Sequence, residues 1–273
     1  MADRVSDADS GIRADSGSHA DAASGAHEPG QQLRGQVALV TGAARRTGRA
    51  VAEGLAAAGA TVVVHHRASA GEAHQVVAAI EAAGGKASAI AADLSDEAQA
   101  RQLLATIDEA HGRLDILVNN VGTFRVEDIA DVSADKWREA IESNVTTTFI
   151  ACQAAIPLMA RAGYGRVVNF ADAAADLLRP APTLAPYMVA KTGVVILTKS
   201  LAERYAAAGI TVNAISPGII DNSVTKPPGG EEAIPAGRYA TTDDIVNAIL
   251  FLVRRESGYV TGTNIKVAGG WHA

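Results

Sequence analysis

The chain has 273 residues, 48% of them hydrophobic, and a formal net charge of −6 at pH 7. This charge and the lack of a basic run argue against a nucleic-acid surface, and no apolar run reaches membrane-spanning length. The single cysteine, Cys152, excludes an intrachain disulfide and favours a reducing, cytoplasmic setting.

Residues 1–33 consist mainly of Ala, Asp, Ser and Gly and contain almost no large apolar side chain. Because such a segment cannot offset the entropy of ordering, we predict a disordered tail, followed by one domain over residues 34–273. The tail lacks the apolar centre of a secretory signal and the Arg-rich, acid-poor composition of a transit peptide. Its histidines, His19 and His27, are expected to be solvated, and we expect no metal site.

From Gln36 onward, short apolar runs alternate with longer amphipathic segments. The predicted strands are QVALV, TVVVH, KASAIAA, DILVNN, GRVVNF, TVNAI and TNIKV. Helices are predicted up to about residue 58 and over residues 70–83, 96–111, 134–162, 185–207 and 243–254. Apolar strands in strict alternation with helices indicate a single-domain α/β fold with a doubly wound, parallel sheet of the Rossmann type. The irregular segment 221–237 is either a substrate lid or disordered.

The first predicted strand leads into TGAARRTGRA, a glycine-rich turn that opens a helix. Glycines at Gly42 and Gly48 would let the backbone approach a phosphate, and the helix N-terminus would stabilise its charge. The spacing differs from GxGxxG, so the turn alone is a weak signal for a nucleotide site.

Further motifs follow in order: AADLSD, LVNNVG, SNV, YMVAK, ISPG and YVTGTNIKVAGG. Together with TGAARRTG, they make the sequence from Leu33 to the C-terminus resemble the short-chain dehydrogenase/reductase family. The resemblance implies NAD(P) at the carboxyl ends of the strands, next to Gly42, Gly48, Asp93, Asn120, Pro217 and Gly218. A local role for Asp93, as a turn or helix-capping residue, is the alternative.

The second strand ends in VVVHHRASA and has no acid that would bind the ribose of NAD and repel a 2′-phosphate. A guanidinium can form a bidentate, charge-assisted pair with a phosphate. With His66, Arg67 and Ser69 at this position, the sequence favours NADPH, unless Arg67 is merely solvated.

Arg46 stands where the family usually has glycine. There it could contact the pyrophosphate and also project toward the substrate. The same TGxxxRxG variant occurs in pteridine reductases.

Tyr187 and Lys191 lie at i and i+4 and therefore share one helix face. A neighbouring ammonium should lower the pKa of the Tyr187 phenol and make it a better proton donor. The resemblance implies that Lys191 also holds the nicotinamide ribose and that Asn144 supports a water-linked proton path.

Asp172 occupies the position where the family usually has a serine that donates to the substrate carbonyl. An ionised aspartate opposes a developing alkoxide but can accept N–H bonds from a nitrogen heterocycle. Asp–Tyr–Lys resembles the pteridine reductases, which reduce C=N bonds, and Phe124 in NNVGTF matches their pterin-stacking aromatic residue.

Two features depart from the family pattern. The interval from Asp172 to Tyr187 is about two residues longer than usual, so Ala174 could take the serine position instead. The C-terminal VAGG also lacks the acid of the family's VDGG. Strand capping by Asp172 and loop packing by Phe124 are the alternatives.

Three functions remain open at this point. The first is an NADPH-dependent reductase of a pterin-like or other C=N substrate. The second is a carbonyl reductase of the 3-oxoacyl-thioester or polyketide type, and the third is a catalytically silent NADPH-binding sensor. Family resemblance further implies a homotetramer built through the small-residue-rich helices 134–162 and 185–207.

Overall fold

Seven parallel strands form the centre of the structure, a computed structural model that describes residues 31–272. They are β1 Val37–Val40, β2 Thr61–His66, β3 Lys86–Ala91, β4 Ile116–Asn119, β5 Gly165–Phe170, β6 Ile210–Pro217 and β7 Asn264–Val267. The strand order is β3-β2-β1-β4-β5-β6-β7. This confirms the predicted doubly wound sheet, whose order reverses between β1 and β4.

The helices cover both faces of this sheet. They are α1 Arg46–Ala57, α2 Ala70–Ala82, α3 Glu97–His111, α4 Ala134–Ile141, α5 Thr147–Ala162, α6 Ala185–Tyr205 and α7 Thr242–Val253. The predicted single helix over 134–162 is wrong in one respect, because a π-helical turn at Glu142–Thr146 separates α4 from α5. Such turns are rare and occur frequently at functional sites.

Successive residues of β1 pack into different layers. Ala38 and Val40 contribute to the core beneath α1 and α7, whereas Val37 and Leu39 contribute to the core beneath α3 and α5. Because both faces of the strand are covered, apolar residues are needed at every position. The continuous apolar strands of the sequence are thereby explained.

The predicted boundary of the N-terminal tail is placed too late. Leu33 is fully buried in the core beneath α1, and its backbone N–H donates to the Ala58 carbonyl at 2.8 Å. Burying a leucine side chain contributes about 1.5–3 kcal/mol, so the folded unit includes Leu33. Residues 1–30 lie outside the described residues, and their predicted disorder remains a prediction.

The segment 221–237 is ordered rather than disordered. Ile234 is buried, and the Ala236 N–H donates to the Gly269 carbonyl at 2.9 Å. The Lys226 ammonium donates to the carbonyls of Ile220 and Asp221, both at 2.7 Å. These contacts hold the segment beside the carboxyl end of β6, where a role as a substrate lid remains a prediction.

Candidate active site

Two adjoining cavities open at the carboxyl ends of β1 and β4, where the strand order reverses. We call the cavity of about 500 Å³ that reaches β2 the nucleotide cavity, and the one of about 280 Å³ that reaches β5 and β6 the catalytic cavity. Asn120, Gly122 and Thr123 line both. An open parallel sheet binds ligands in this crevice, so the position suits a ligand that spans both spaces.

The glycine-rich turn and the loop after β4 are held together by Asn120. Its side-chain amide donates to the carbonyls of Thr41 and Gly42, at 3.0 and 3.1 Å. Gly42 has a φ of +62°, and a Cβ on Gly48 would lie 2.4 Å from the Gly42 carbonyl oxygen. The turn therefore requires glycine at both positions, and it keeps a space that a larger residue would fill.

Replacing Gly48 with Ala should weaken NADPH binding by about tenfold or more, since overpacking costs about 1–3 kcal/mol and must displace the turn. Fluorescence titration of NADPH measures the effect. Gly71→Ala in α2 is the matched control, because no atom lies within 4 Å of its added methyl group. Equal affinities for the two variants would show that the turn does not hold the cofactor.

Arg46 adopts a left-handed backbone conformation, with a φ of +50°. This region costs a non-glycine residue about 1–2 kcal/mol, and such strain is concentrated at functional sites. Arg46 is exposed and lines the catalytic cavity, whereas the neighbouring Arg45 pairs with Glu72 of α2. The structure thus places Arg46 at the catalytic cavity and not at the nucleotide cavity.

At the end of β2, the histidine that lines the nucleotide cavity is His65 and not the predicted His66. The Gly42 N–H donates to His65 Nδ1 at 3.1 Å, and His65 Nε2 donates to the Ala92 carbonyl at 3.0 Å. Burial lowers the pKa of His65 to about 4, so the imidazole is neutral. Because neighbouring residues of a strand point to opposite faces, His66 is buried elsewhere. Strand periodicity could have identified His65.

Arg67, Ser69 and Asp93 all line the nucleotide cavity. Arg67 Nη1 lies 3.7 Å from Asp93 Oδ2, in an exposed ion pair of little strength. Asp93 also accepts from the Ser95 N–H and hydroxyl, at 3.0 and 2.7 Å, and the Ser95 backbone bond is the main cause of its lowered pKa. Asp93 is therefore a turn residue as well as a cavity residue.

Helix α6 places Tyr187 and Lys191 in the catalytic cavity. The Lys191 ammonium donates to the Phe170 carbonyl at 2.7 Å and lies 5.7 Å from the centre of the Tyr187 ring. Lys191 is buried, and this burial lowers its pKa to about 8, against the opposing effect of the Asp172 carboxylate. Lys191 is thus held at the end of β5 in an environment that disfavours its charge.

Asp172, rather than Ala174, faces the tyrosine. The Tyr187 hydroxyl donates to Asp172 Oδ2 at 3.4 Å, a long hydrogen bond, while Asp172 Oδ1 accepts from the Ala174 N–H at 2.9 Å. The second contact is an Asx turn, which orients the carboxylate. The longer interval before Tyr187 therefore lies after Asp172 and does not displace it.

The expected lowering of the Tyr187 pKa is wrong for this structure. Burial raises the pKa of the Tyr187 phenol well above 10, and the charge of Asp172 and its hydrogen bond raise it further. The Lys191 ammonium donates to the Phe170 carbonyl instead of the phenol, so no neighbouring cation in the described chain offsets these effects. Tyr187 is therefore a protonated donor at neutral pH.

Asn144 lies in the π-helical turn and is fully buried. Its amide NH₂ donates to the carbonyls of Thr123 and Ala140, both at 3.0 Å, but its Oδ1 atom has no hydrogen-bond partner. A Cβ on Gly122 would lie 2.3 Å from that oxygen and 3.5 Å from Lys191 Nζ. The glycine thus leaves room between Asn144 and Lys191.

Phe124 contacts the Tyr187 ring edge to face, with ring centres 5.0 Å apart and planes at 86°. It is 48% exposed and lines the catalytic cavity, so packing under a loop does not describe it. Pro217 and Gly218 line the same cavity. A Cβ on Gly218 would lie 2.9 Å from the Ala268 Cα, so the alanine of VAGG packs directly on this turn.

Among residues 31–272, no group of three His, Cys, Asp or Glu side chains could hold a metal ion. No helix in the same range is long and apolar enough to cross a membrane. The site consists instead of a glycine-rich turn, a Tyr–Lys pair and a carboxylate.

Comparisons with known proteins agree with this geometry. The model of the family described as enoyl-(acyl carrier protein) reductase matches residues 42–272. A 3-oxoacyl-[acyl-carrier-protein] reductase of Synechocystis is 37% identical over 242 residues, covering 87% of this chain and 97% of that protein. The corresponding reductase of Haemophilus influenzae is 34% identical, with 87% and 98% coverage.

Solved structures show the same likeness. A candidate short-chain alcohol dehydrogenase from Sinorhizobium meliloti superposes with a TM-score of 0.82 at 35% identity, covering 89% of this chain and 98% of that one. A candidate gluconate dehydrogenase from Agrobacterium tumefaciens also gives 0.82, at 33% identity and 88% and 97% coverage. Fold and site together define an oxidoreductase with a Rossmann-type sheet. The chain belongs to the short-chain dehydrogenase/reductase family.

Proposed function

We propose that the protein uses NADPH to reduce a C=N bond in a pterin-like heterocycle. The 3.4 Å contact between the Tyr187 hydroxyl and the Asp172 carboxylate carries this proposal. A carboxylate beside the proton donor can accept N–H bonds from a heterocycle, but it repels the alkoxide of a reduced ketone. Phe124, exposed against the Tyr187 ring, offers an aromatic face for a planar substrate.

The residues present fit a dinucleotide. Gly42, Gly48 and Asn120 leave backbone space at the N-terminus of α1, where a pyrophosphate is stabilised. When bound, NADPH supplies the hydride. Lys191 would hold the nicotinamide ribose, and Pro217 and Gly218 would border the ring.

The chain's own residues handle the proton. Tyr187, which is protonated at neutral pH, donates to the substrate nitrogen. Asp172 orients the heterocycle by accepting hydrogen bonds from its N–H groups. Its negative charge also favours the protonated form of the Tyr187 phenol. The unpartnered Asn144 Oδ1 can accept from a water molecule on the Lys191 side, which would restore the proton.

NADPH should bind at least about tenfold more tightly than NADH, a difference of about 1.4 kcal/mol. A 2′-phosphate can displace the weak Arg67–Asp93 pair, and the Ser69 side chain makes no capping hydrogen bond in α2. Arg67→Asp should reverse the preference. Fluorescence titration with both cofactors checks this, and equal affinities for the unmodified protein would contradict it.

Carbonyl reduction of a 3-oxoacyl thioester is the second candidate, and the names of the relatives favour it. In this reaction Tyr187 would protonate the carbonyl oxygen, and Asp172 would have to be neutralised or turned away. The sequence relatives share about a third of their residues with this chain, and function follows the site rather than the fold. The position of Asp172 therefore carries more weight in our proposal.

NADPH consumption measured with dihydrobiopterin, dihydrofolate and an acetoacetyl thioester separates the candidates. Turnover of a pterin supports our proposal, whereas turnover of the thioester alone replaces it with the carbonyl reaction. Cofactor binding without any turnover would indicate a silent sensor, although a sensor has no need of Tyr187, Lys191 and Asn144. We further propose a homotetramer, since Phe149 on α5 and Val189 and Ile196 on α6 are exposed apolar residues. The single cysteine, Cys152, supports a cytoplasmic location.

A further inference from the structure

A third cavity, which we call the outer chamber, lies beside the catalytic cavity and has a volume of about 570 Å³. The two spaces share lining residues, namely Phe124, Asp172, Pro217, Gly218, Ile219 and Thr225. A substrate whose reducible bond lies at Tyr187 and Asp172 can therefore extend its remaining part into the outer chamber. The proposed reaction does not use this space.

The walls of the outer chamber are mostly apolar, and the described charged side chains that line it are Asp172, Arg179 and Lys226. Asp172 lies at the border with the catalytic cavity. The Lys226 ammonium already donates to two carbonyls and lies 4.1 Å from the Tyr239 ring centre. The chamber thus has an apolar interior and, beyond Asp172, an excess of positive charge.

Arg179 is the cation in the outer chamber whose hydrogen-bonding groups are least used. Within residues 31–272 its guanidinium has no carboxylate partner, and its one hydrogen bond joins Nη2 to His272 Nδ1 at 2.7 Å. Because arginine only donates, Nδ1 must be the acceptor. The remaining N–H groups form a planar fork that matches a carboxylate.

Arg179 is exposed, and its surroundings orient it through His272. Its partner His272 contacts Trp271, with ring centres 4.7 Å apart and planes tilted by 52°, and the His272 carbonyl accepts from the Lys266 ammonium at 3.1 Å. Lys266 also pairs with Asp176 at 3.0 Å, three residues before Arg179. Both Leu178 and His272 have left-handed backbones, with φ of +50° and +56°. Strain of this kind persists where a surrounding network imposes it, and such sites are often functional.

We propose that Arg179 determines specificity by binding a carboxylate in the outer chamber, and that His272 positions the guanidinium. The preferred substrate carries its reducible bond at one end, an apolar or aromatic middle part, and a carboxylate at the other end. This inference rests on the proposed function only in placing the reducible bond at Tyr187. It applies to a C=N or a carbonyl substrate.

Paired substrates that differ in the carboxylate test this inference. Dihydrofolate, which has carboxylates, is compared with dihydrobiopterin, which has none, and 5-oxohexanoate with its methyl ester. Arg179→Met should raise KM about tenfold for the carboxylated member of the pair that turns over, about the strength of one charged hydrogen bond. The kcat for the carboxylated member and the KM for the uncharged member should stay unchanged.

Three further variants sharpen the comparison. Arg179→Lys should raise the KM of the carboxylated substrate less than Arg179→Met does. Lysine keeps the positive charge and loses only the planar fork of N–H groups. His272→Ala should raise only the KM of the carboxylated substrate and leave kcat unchanged, as expected of a positioning residue. Arg204→Met, on α6, is the matched control, since Arg204 is exposed and has no carboxylate partner in the described chain.

Calorimetric binding of folate and biopterin to the NADP⁺-loaded protein provides a readout without turnover. Folate should bind more tightly, and Arg179→Met should weaken folate binding about tenfold while leaving biopterin binding unchanged. If neither turnover nor binding depends on the carboxylate, or if Arg179→Met affects both members of a pair alike, the inference is overturned. Turnover of the keto acid but of no pterin, with the Arg179 effect intact, would overturn the C=N proposal alone.

Discussion

Tyr187→Phe should lower kcat by about 10²–10⁴-fold for any substrate that the protein reduces, the range for loss of a positioned proton donor. The phenylalanine keeps the ring that contacts Phe124, so the fold should not change. The dissociation constant for NADPH should therefore stay within about threefold of the original value, well under 1.4 kcal/mol. Steady-state kinetics and fluorescence titration of the same preparation measure both quantities.

A second tyrosine on the same helix provides the control. Tyr205 also lies in α6, and its hydroxyl has no hydrogen-bond partner within residues 31–272. Tyr205→Phe removes the same atom far from the cavity lining and should leave kcat unaltered. Comparable losses in both variants would indicate damage to the helix and would remove Tyr187 from the proposed mechanism.

Asp172→Ser should lower turnover of a pterin-like substrate by about a hundredfold, the scale of one positioned acid–base group. It should leave NADPH affinity unchanged, since Asp172 lines the catalytic cavity and not the nucleotide cavity. Reduction of a simple ketone should be maintained or improved, because a hydroxyl donor replaces a charge that opposes the alkoxide. The decisive comparison is between a pterin and a ketone in one variant.

Asp172→Asn removes the negative charge but keeps the Asx turn, because an asparagine oxygen can still accept from the Ala174 N–H. It therefore tests the effect of the charge alone. The Asp172 charge raises the pKa of Lys191, which burial has lowered to about 8. Without the carboxylate this pKa should fall further, so the basic limb of kcat/KM should move from near pH 8 to lower pH. If Asp172→Ser treats pterin and ketone alike and Asp172→Asn leaves the pH profile unmoved, the carboxylate has no role specific to nitrogen chemistry.

The alternation of strands and helices was predictable because a strand covered on both faces must be apolar throughout, as in β1 with Ala38 and Leu39 packing into opposite layers. The glycine-rich turn and the Tyr187–Lys191 pair were predictable for a similar reason, since local geometry alone determines them. The family was predictable because these motifs occur together and in the order typical of its members.

The three-dimensional arrangement decided the rest of the site. Sheet register brought His65 between Gly42 and Ala92, where both of its ring nitrogens are hydrogen-bonded. In the π-helical turn, Asn144 Oδ1 has no hydrogen-bond partner within the described residues, and no pattern in the sequence predicted this. These features depend on how elements pack against each other, which a linear pattern does not specify.

The electrostatics of the Tyr187–Lys191 pair also depend on tertiary structure. A neighbouring lysine predicts a lowered phenol pKa, but burial and the charge of Asp172 raise the pKa of Tyr187, because desolvation and a close negative charge both disfavour the tyrosinate. Likewise, Arg179 and His272 are 93 residues apart in the chain and meet only at the outer chamber. The sequence by itself determined the fold, the family and the Tyr187–Lys191 pair, whereas long-range burial and contact decided the protonation of Tyr187 and the lining of the cavities.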